Sequence, residues 1–404
     1  MKKGPWRMRD NDEMTIFANG LLPRIGLADL VVCEGRIKSI GKGAEPTNAK
    51  IVDLGGSLVL PGLVDGHMHL DKTLFGLPWL PHAAGPTRMS RIETDKHILP
   101  TLPLPARRRA GLLLDRCIAH GTAHVRTHVD IHLETRLSPL HEILAAREAY
   151  QGRVTIEIVA FPQGGVVRCP GVADLLGAAL EAGADLVGGI DPSVIDRDAR
   201  GQLDAVFGIA DRKGVGIDIH LHEPGELGLF SLEEICARTK ALGLTGKVTI
   251  SHAFCLGMVT ESAARRAAEL LGEAGVAIAT HGAGGGIIPP ILMLREAGVN
   301  VFAGNDDVRD TWSPYGNGDM LERAALIGWK SDFRRDELVE VAFDIVSAAG
   351  AKALSIERYG IAVGNPANFF TVEASGIAEA VGGHPPRRLV VHEGRMVARD
   401  GASL

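Results

Sequence analysis

The sequence predicts an α/β protein: a (β/α)8 barrel of the TIM type, with a small β-sandwich formed by both chain ends. Two patterns predict this fold. Short β-branched runs alternate with helical stretches through the middle of the chain, as parallel βα units require, and the two ends carry similar strand-turn-strand segments. The length of 404 residues suits one barrel of roughly 250 residues with an accessory domain.

The middle of the chain supplies eight candidate strands, the number that closes such a barrel. Helical segments such as LLGAALEAGA and ESAARRAAELLGEAG fill the gaps and end in glycine, a common helix stop. The candidate strands are 57–65, 123–131, 154–161, 185–190, 215–221, 247–253, 276–282 and 299–306.

The two ends resemble each other in sequence. Residues 30–41 read LVVCEGRIKSIG and residues 389–400 read LVVHEGRMVARD, each an alternating strand pair around a Glu-Gly turn. Either these are two ordinary hairpins that are alike by coincidence, or they pair in space. The second interpretation predicts a composite β-sandwich from residues 1–57 and 358–404, with the catalytic barrel at 58–357 inserted between its halves.

Composition excludes several classes of function. With 46% hydrophobic and 23% charged residues, the chain is typical of a soluble globular protein. A net charge of −6 leaves no basic stripe for nucleic acid, so a small-molecule substrate is favoured. Five scattered cysteines without a CxxC pair argue against disulfides and zinc-thiolate sites, and we expect a cytoplasmic protein. Neither a signal peptide nor a membrane span is predicted.

Histidines and carboxylates terminate several of the predicted strands, at the end where barrels of this kind carry their active sites. A lone histidine is more often a hydrogen-bonded surface or core residue than a ligand, but this joint placement favours a site. Strand one ends in GHMHLDK, and His67 and His69, two apart in an extended segment, project from one face. The other residues of this kind are His220, His222, Glu223, His252, His281, Asp306 and Asp307.

Three imidazoles and a carboxylate suit a borderline divalent ion such as zinc or iron(II), and an open water position makes such a site catalytic. The ion lowers the pKa of that water and so supplies hydroxide at neutral pH. The sequence therefore predicts one divalent metal ion per chain. By contrast, the glycine run after His281 is no phosphate loop, because no Lys-Ser or Lys-Thr follows it.

These motifs resemble the amidohydrolase superfamily, in its mononuclear branch of cytosine deaminase and N-isopropylammelide isopropylaminohydrolase. The resemblance runs through PGLVDGHMHLDKT, RTHVD, IVAFPQGG, GADLVGG, DIHLHE, SHAF and GNDDVRDTWSPYGNGDML. No lysine ends the fourth strand, where binuclear members carry a bridging ligand. The resemblance also implies a homo-oligomer.

The resemblance implies a role for each matching residue. Glu223 would shuttle a proton to the substrate ring, and His252 and Asp306 would assist proton transfer. Gln163 would pair with a lactam edge, while Asp307 and Trp312 would line the substrate pocket; the alternatives are that Asp307 caps a helix and that Trp312 packs in the core. The implied metal ligands are His67, His69, His220 and Asp306.

Three functions follow from the sequence. The first is deamination of a cytosine-like aminopyrimidine or related nitrogen heterocycle, with release of ammonia. The second keeps the chemistry but releases a substituted amine from an aminotriazine-like ring. The third is a barrel that has lost catalysis and serves as a scaffold, which the retention of every ligand position disfavours.

Overall fold

The computed structural model describes residues 14–43, 49–282 and 287–404. The N-terminal segment considered as a signal peptide, and most of the glycine run after His281, lie outside these residues. The strands are β1 Thr15–Leu22, β2 Gly26–Cys33, β3 Arg36–Gly41, β4 Lys50–Asp53, β5 Leu58–Pro61, β6 Leu63–Met68, β7 Thr122–Asp130, β8 Thr155–Phe161, β9 Leu186–Ile190, β10 Gly216–Leu221, β11 Val248–His252, β12 Ala277–Thr280, β13 Val301–Ala303, β14 Phe369–Val372, β15 Arg387–His392, β16 Arg395–Arg399 and β17 Ala402–Ser403.

The helices surround the barrel strands and connect them. They are α1 Arg88–Ile98, α2 Ala106–Ala119, α3 Ser138–Ala149, α4 Val172–Glu181, α5 Ala199–Lys213, α6 Gly225–Ala241, α7 Glu261–Ala274, α8 Ile291–Glu296, α9 Met320–Lys330, α10 Asp336–Ile345, α11 Ala348–Ala353 and α12 Ile377–Gly383.

Local sequence sets the ends of these helices. The Thr260 side chain accepts a hydrogen bond from the Ala263 amide at the start of α7, and Gly275 ends that helix with φ of 65°. A hydroxyl at the N-cap and a left-handed glycine after the last turn are the usual solutions for unpaired helix-end groups. No helix among the described residues is both long and apolar enough to cross a membrane.

Strands β6 to β13 form a parallel eight-stranded sheet in chain order. A bridge between Met68 and Asp306 joins its two edges, so the sheet closes into the predicted barrel. Every residue of β7 is buried, as expected for a parallel strand covered on both faces. The polar residues inside this apolar wall are therefore exceptions that need a reason.

The remaining strands form a second, nine-stranded sheet from both chain ends. The two similar hairpins lie at opposite ends of its strand order, and their turns meet. A Cβ on Gly35 would lie 2.8 Å from the Glu393 carbonyl oxygen, and one on Gly394 would lie 2.9 Å from Gly35 Cα. Both glycines also have positive φ. Glycine is therefore favoured at each turn for two reasons: a side chain would be strained by the backbone conformation and would clash with the facing turn. The sheet folds on a core of its own that includes Phe17 and Phe369.

The predicted strand 57–65 divides between the two sheets. Leu58–Pro61 pairs with β1 and β14 in the composite sheet, while Leu63–Met68 begins the barrel. Gly62 makes the transition, at a point where a Cβ would lie 2.6 Å from that of Ala123. We accordingly propose that the barrel domain begins at residue 62 rather than at 58.

Candidate metal and substrate site

Four side chains expected to bind metal converge at the carboxyl end of the barrel. Asp306 Oδ1 lies 3.3 Å from His67 Nε2 and 3.4 Å from His69 Nε2. His220 Nε2 lies 3.4 Å from His69 Nε2. All four residues are buried, with 2 to 8% of their surface exposed.

The closure of the barrel positions this group. The Asp306 amide donates to the His67 carbonyl at 2.7 Å, so the end of β13 is fixed beside the end of β6. Asp306 adopts φ of 59° and His252, at the end of β11, adopts φ of 76°. Such backbone conformations cost about 1–3 kcal/mol in non-glycine residues and cluster at functional sites.

Burial keeps the rings of His69, His220 and His252 neutral. It lowers the pKa of His69 to about 3, with a further contribution from the Lys72 charge, and lowers the pKa of His220 and His252 well below the ordinary value. Burial works in the opposite direction on Asp306, but His281 and His252 outweigh it and hold the pKa of this carboxyl well below its usual range. Neutral imidazoles around an ionised carboxylate are the protonation states that a metal ion requires.

The arrangement fits a metal ion. Ligand atoms about 2.0–2.1 Å from a tetrahedral zinc are separated by about 3.3–3.4 Å. Three separations within this group, those of Asp306 from His67 and from His69 and that of His69 from His220, have this length. Within the described part of the chain, His67 Nε2 and both ring nitrogens of His252 are buried without a hydrogen-bond partner. Unpaired buried nitrogens are costly unless something binds them. The ligand atoms of His67, His220, His252 and Asp306 all lie within 4.8 Å of one another, so His252 also lies within reach of an ion.

His222, whose role the sequence left open, lies over His252. The two rings stack with centroids 4.2 Å apart at 21°. His222 Nδ1 lies 3.0 Å from Asp191 Oδ2, and the His222 amide donates to Asp191 Oδ1 at 2.6 Å. Arg88 donates to the same carboxylate at 2.8 Å. The His222 ring is thus fixed at the cavity wall by Asp191 and His252, and His281 lines the same cavity.

Glu223 is held by three hydrogen bonds in the structure. Its Oε1 accepts from the amides of Ser193 at 2.6 Å and Val194 at 2.8 Å, and its Oε2 accepts from the Ser231 hydroxyl. Burial raises the pKa of the carboxyl. Glu223 is 1% exposed and is not among the described residues that line the cavity. Its bonds with the Ser193 and Val194 amides tie it to the turn that follows Asp191.

Gln163 is held by a lysine that sequence reasoning missed. Lys72, 2% exposed, donates to Gln163 Oε1, and Gln163 Nε2 donates to Asp95 Oδ2 at 2.9 Å. Lys72 Nζ also lies 5.6 Å from the Trp312 ring centroid and 5.5 Å from that of Phe161. The Gln163 carbonyl is therefore engaged, and the amide presents its remaining N–H as a donor.

Asp307 and Trp312 both line the cavity, whose volume is about 270 Å³. Asp319, not Asp307, caps the helix that follows. Burial, and then the nearby carboxylates of Asp310 and Asp306, raise the pKa of Asp307 well above its usual range. Trp312 also packs against the apolar cluster around Ile92, and its indole N–H has no partner among the described residues.

A second group, His67, His128 and Asp218, also falls within ligand range of one another. It is a poorer candidate for another ion because two of its three residues, His67 and Asp218, are already hydrogen-bonded. Arg126 donates to Asp218 Oδ2 at 3.0 Å, and Ser251 lies between His67 and Asp218.

The fold and the site together define a barrel hydrolase with a buried His and Asp cluster able to bind metal. The chain belongs to the amidohydrolase family, whose model matches residues 50–398. It is therefore a hydrolase of the superfamily that acts on C–N bonds.

Three relatives cover almost the whole chain. N-isopropylammelide isopropyl amidohydrolase of Pseudomonas sp. (strain ADP) is 30% identical over 92% of this chain and 94% of its own length. The crystal structure of N-isopropylammelide isopropylaminohydrolase from Burkholderia multivorans is 44% identical, with a TM-score of 0.94 over 97% of this chain and 100% of that one. The structure of 5-methylcytosine deaminase from Klebsiella pneumoniae with phosphonocytosine is 26% identical, with a TM-score of 0.84 over 95% and 98%.

Proposed function

We propose that the protein is a metal-dependent aminohydrolase that removes an exocyclic amine from a small nitrogen heterocycle. The single observation that carries this proposal is the convergence of four buried potential ligands, with three separations of 3.3–3.4 Å among them, beside a small cavity lined by aromatic rings. The proposed ligands are His67, His69, His220 and Asp306. One zinc or iron(II) ion per chain suits these donors.

A divalent ion held there would lower the pKa of a water molecule and supply hydroxide at neutral pH. The water oxygen bonds to the amine-bearing ring carbon, the exocyclic C–N bond breaks, and the amine leaves with a proton. The protein has to hold the ring, move that proton and exclude competing water.

The donors around Lys72 support a substrate that presents carbonyl oxygens. Lys72 is a buried cation, Gln163 retains an amide N–H, and the Trp312 indole N–H has no partner among the described residues. A site built from donors selects a ring edge with acceptors, because a ring lacking them would leave these buried groups unpaired. Phe161 and Trp312 supply aromatic faces for a flat ring.

We assign proton transfer to His222 and His252 rather than to Glu223. His222 lines the cavity and is oriented by Asp191, as a general base is oriented in a catalytic dyad. Glu223 would have to break three hydrogen bonds before it reached a substrate. Its proposed role is to hold the 191–194 turn, which in turn holds Asp191.

Two leaving groups remain candidates. Ammonia from a cytosine-like ring is the first expectation from the sequence, and the likeness to a 5-methylcytosine deaminase agrees with it. A substituted amine from an aminotriazine-like ring is favoured by the 44% identity to a protein described as an N-isopropylammelide isopropylaminohydrolase, and by the donor-rich ring-binding edge. We place the substituted amine first.

The test is amine release by metal-quantified protein. The panel contains cytosine, 5-methylcytosine, isocytosine, isoguanine and a series of alkylaminotriazines, with ammonia and alkylamine measured separately. Release of alkylamine from a dioxo-triazine, faster than ammonia from any pyrimidine, supports the second candidate. If the fully metallated enzyme releases neither ammonia nor alkylamine from any compound of the panel, the proposed substrate class is overturned.

A second measurement separates the proton-transfer assignments. His222→Asn and Asp191→Asn should each slow turnover by about 100-fold or more, as expected for loss of a general acid–base group. Glu223→Gln should slow it much less. The opposite order would return the role to Glu223.

A further inference from the structure

Beneath the metal ligands, a chain of buried polar groups crosses the barrel interior. His67 Nδ1 lies 2.8 Å from Ser251 Oγ, and Ser251 Oγ donates to Asp218 Oδ1 at 2.7 Å. Arg126 donates to the other oxygen of Asp218 at 3.0 Å. Ser251 and Asp218 are fully buried, and Arg126 and His67 are 2% exposed.

The direction of these hydrogen bonds can be derived from the chemistry of the groups. Asp218 is paired with Arg126 and acts as an acceptor, so the single Ser251 proton goes to Asp218. Ser251 Oγ can then only accept from His67, which places the His67 proton on Nδ1. The lone pair of His67 is left on Nε2, the atom that lies 3.3 Å from Asp306 Oδ1.

We propose that Ser251 is a positioning residue that sets the tautomer and ring orientation of His67. Asp218 and Arg126 fix which group donates in each of these hydrogen bonds. The inference rests on the proposed metal site and goes beyond it, because neither Ser251 nor Asp218 is a proposed ligand or is among the described residues that line the cavity. Groups that orient a ligand in this way typically affect metal affinity by about 10–100-fold.

The same network explains why Arg126 is buried in the barrel. Its other donors go to Glu157 Oε2 at 2.6 Å, to Thr249 Oγ1 at 3.3 Å and to the Ala353 carbonyl at 3.1 Å. Every nitrogen of the guanidinium is therefore bound. Arg126, at the far end of this series of hydrogen bonds, is fixed by its three other partners. Asp218 therefore cannot rotate away from Ser251 without losing its bond to Arg126.

Thr249 supplies a matched control. It lies two residues before Ser251 on β11, is also buried, and its hydroxyl also contacts Arg126. Thr249 neighbours Asp218 through strand pairing, but its hydroxyl makes no hydrogen bond with Asp218 or His67 among the described residues. Thr249→Val removes a hydroxyl of similar burial from the same strand. A purely structural effect would appear in both variants, whereas an effect on the His67 tautomer would appear only at Ser251.

The experiment measures zinc affinity of metal-free protein by competition with a chromophoric chelator. Ser251→Ala should bind zinc about 10–100-fold more weakly than wild type, and Thr249→Val should bind as wild type does. Nitrogen NMR of the histidine rings supplies an independent readout: metal-free wild type should show His67 protonated on Nδ1, and Ser251→Ala should show a mixture of tautomers.

Equal zinc affinity in wild type and Ser251→Ala would overturn the inference. If Ser251→Ala fails to fold, judged by circular dichroism of the metal-free protein, Ser251→Cys decides instead, because a thiol is somewhat larger than a hydroxyl, fills the site and accepts hydrogen bonds weakly. Wild-type affinity in that variant would overturn the inference equally. A wild-type protein that does not bind zinc or iron(II) at all would instead overturn the proposed metal site.

Discussion

The Glu223→Gln variant distinguishes two roles for Glu223, an anchor of the neighbouring turn and a catalytic proton shuttle. In the structure Glu223 accepts three hydrogen bonds, two from the backbone amides of Ser193 and Val194 and one from Ser231. A glutamine retains one oxygen for the two amides, and its NH2 can donate to the Ser231 hydroxyl. The variant therefore keeps the contacts and loses only the charge.

The expected cost follows from those three bonds. A hydrogen bond to a charged group contributes about 1 kcal/mol more than a neutral one, so the unfolding free energy should fall by at most about 3 kcal/mol. The loss should be smaller than this limit, because the variant also removes the desolvation cost that raises the pKa of the Glu223 carboxyl. An unfolding entropy of about 2.1 cal/mol/K per residue gives roughly 0.85 kcal/mol/K for 404 residues, and Tm should fall by no more than about 3–4 °C. Catalysis should fall by less than about 10-fold, whereas removal of a general acid or base costs about 100–10,000-fold.

The assay pairs calorimetry with steady-state kinetics on whichever substrate the panel identifies. Ser231→Ala is the control, since it removes one of the same three bonds without changing charge. If Glu223→Gln slows turnover by about 100-fold or more and leaves Tm unchanged, the anchoring role is refuted and the proton shuttle that the sequence suggested is restored.

The remaining predictions concern the metal, Lys72 and pH. Chelation should abolish activity, and zinc or iron(II) should restore it; activity that survives complete removal of the ion would contradict the metal mechanism. Lys72→Met should lower kcat/KM by more than about 100-fold and destabilise the protein by about 3–5 kcal/mol, measured by denaturant unfolding, because Asp95 and neighbouring carboxylates lose their buried partner. Burial, and then His392, lower the pKa of His124 from 6.5 to about 3, so the unfolded chain takes up this proton first and stability falls as pH drops below 6.5. In metal-free protein, the unfolding free energy of His124→Leu should therefore fall by about 2 kcal/mol less than that of the wild type between pH 7 and pH 5. An equal fall in both proteins would argue against a neutral buried imidazole at His124.

The positions of the proposed metal ligands could be predicted because strand periodicity and barrel geometry fix them together. His67 and His69 share a face in any extended segment, and polar residues at the ends of parallel strands must meet at one rim. The pairing of the chain ends was also predictable, since the Glu-Gly turns repeat. These features depend on backbone pattern alone.

Features that depend on side-chain direction could not be predicted in the same way. The rotamer of Glu223 is set by the 191–194 turn, which is remote in sequence. Lys72 lies in the HLDK segment next to the metal motif, but lysine is usually exposed, and only the fold reveals the carboxylates that neutralise it. Ser251 differs from an ordinary buried serine only through its neighbours across the barrel, and Gly62 gave no sign that the first predicted strand would divide there.

The closure of the barrel also has a consequence for biosynthesis. Asp65 on β6 and Asn305 after β13 lie beside proposed metal ligands and are hydrogen-bonded to each other, although 240 residues of sequence separate them. A chain emerging from the ribosome thus carries its HxH pair long before the aspartate that completes the cluster exists. Until Asp306 is synthesised, the proposed cluster lacks its only carboxylate ligand. We therefore expect high-affinity metal binding only after the last barrel strand and Asp306 have been synthesised. Metal uptake would then indicate that the barrel is complete.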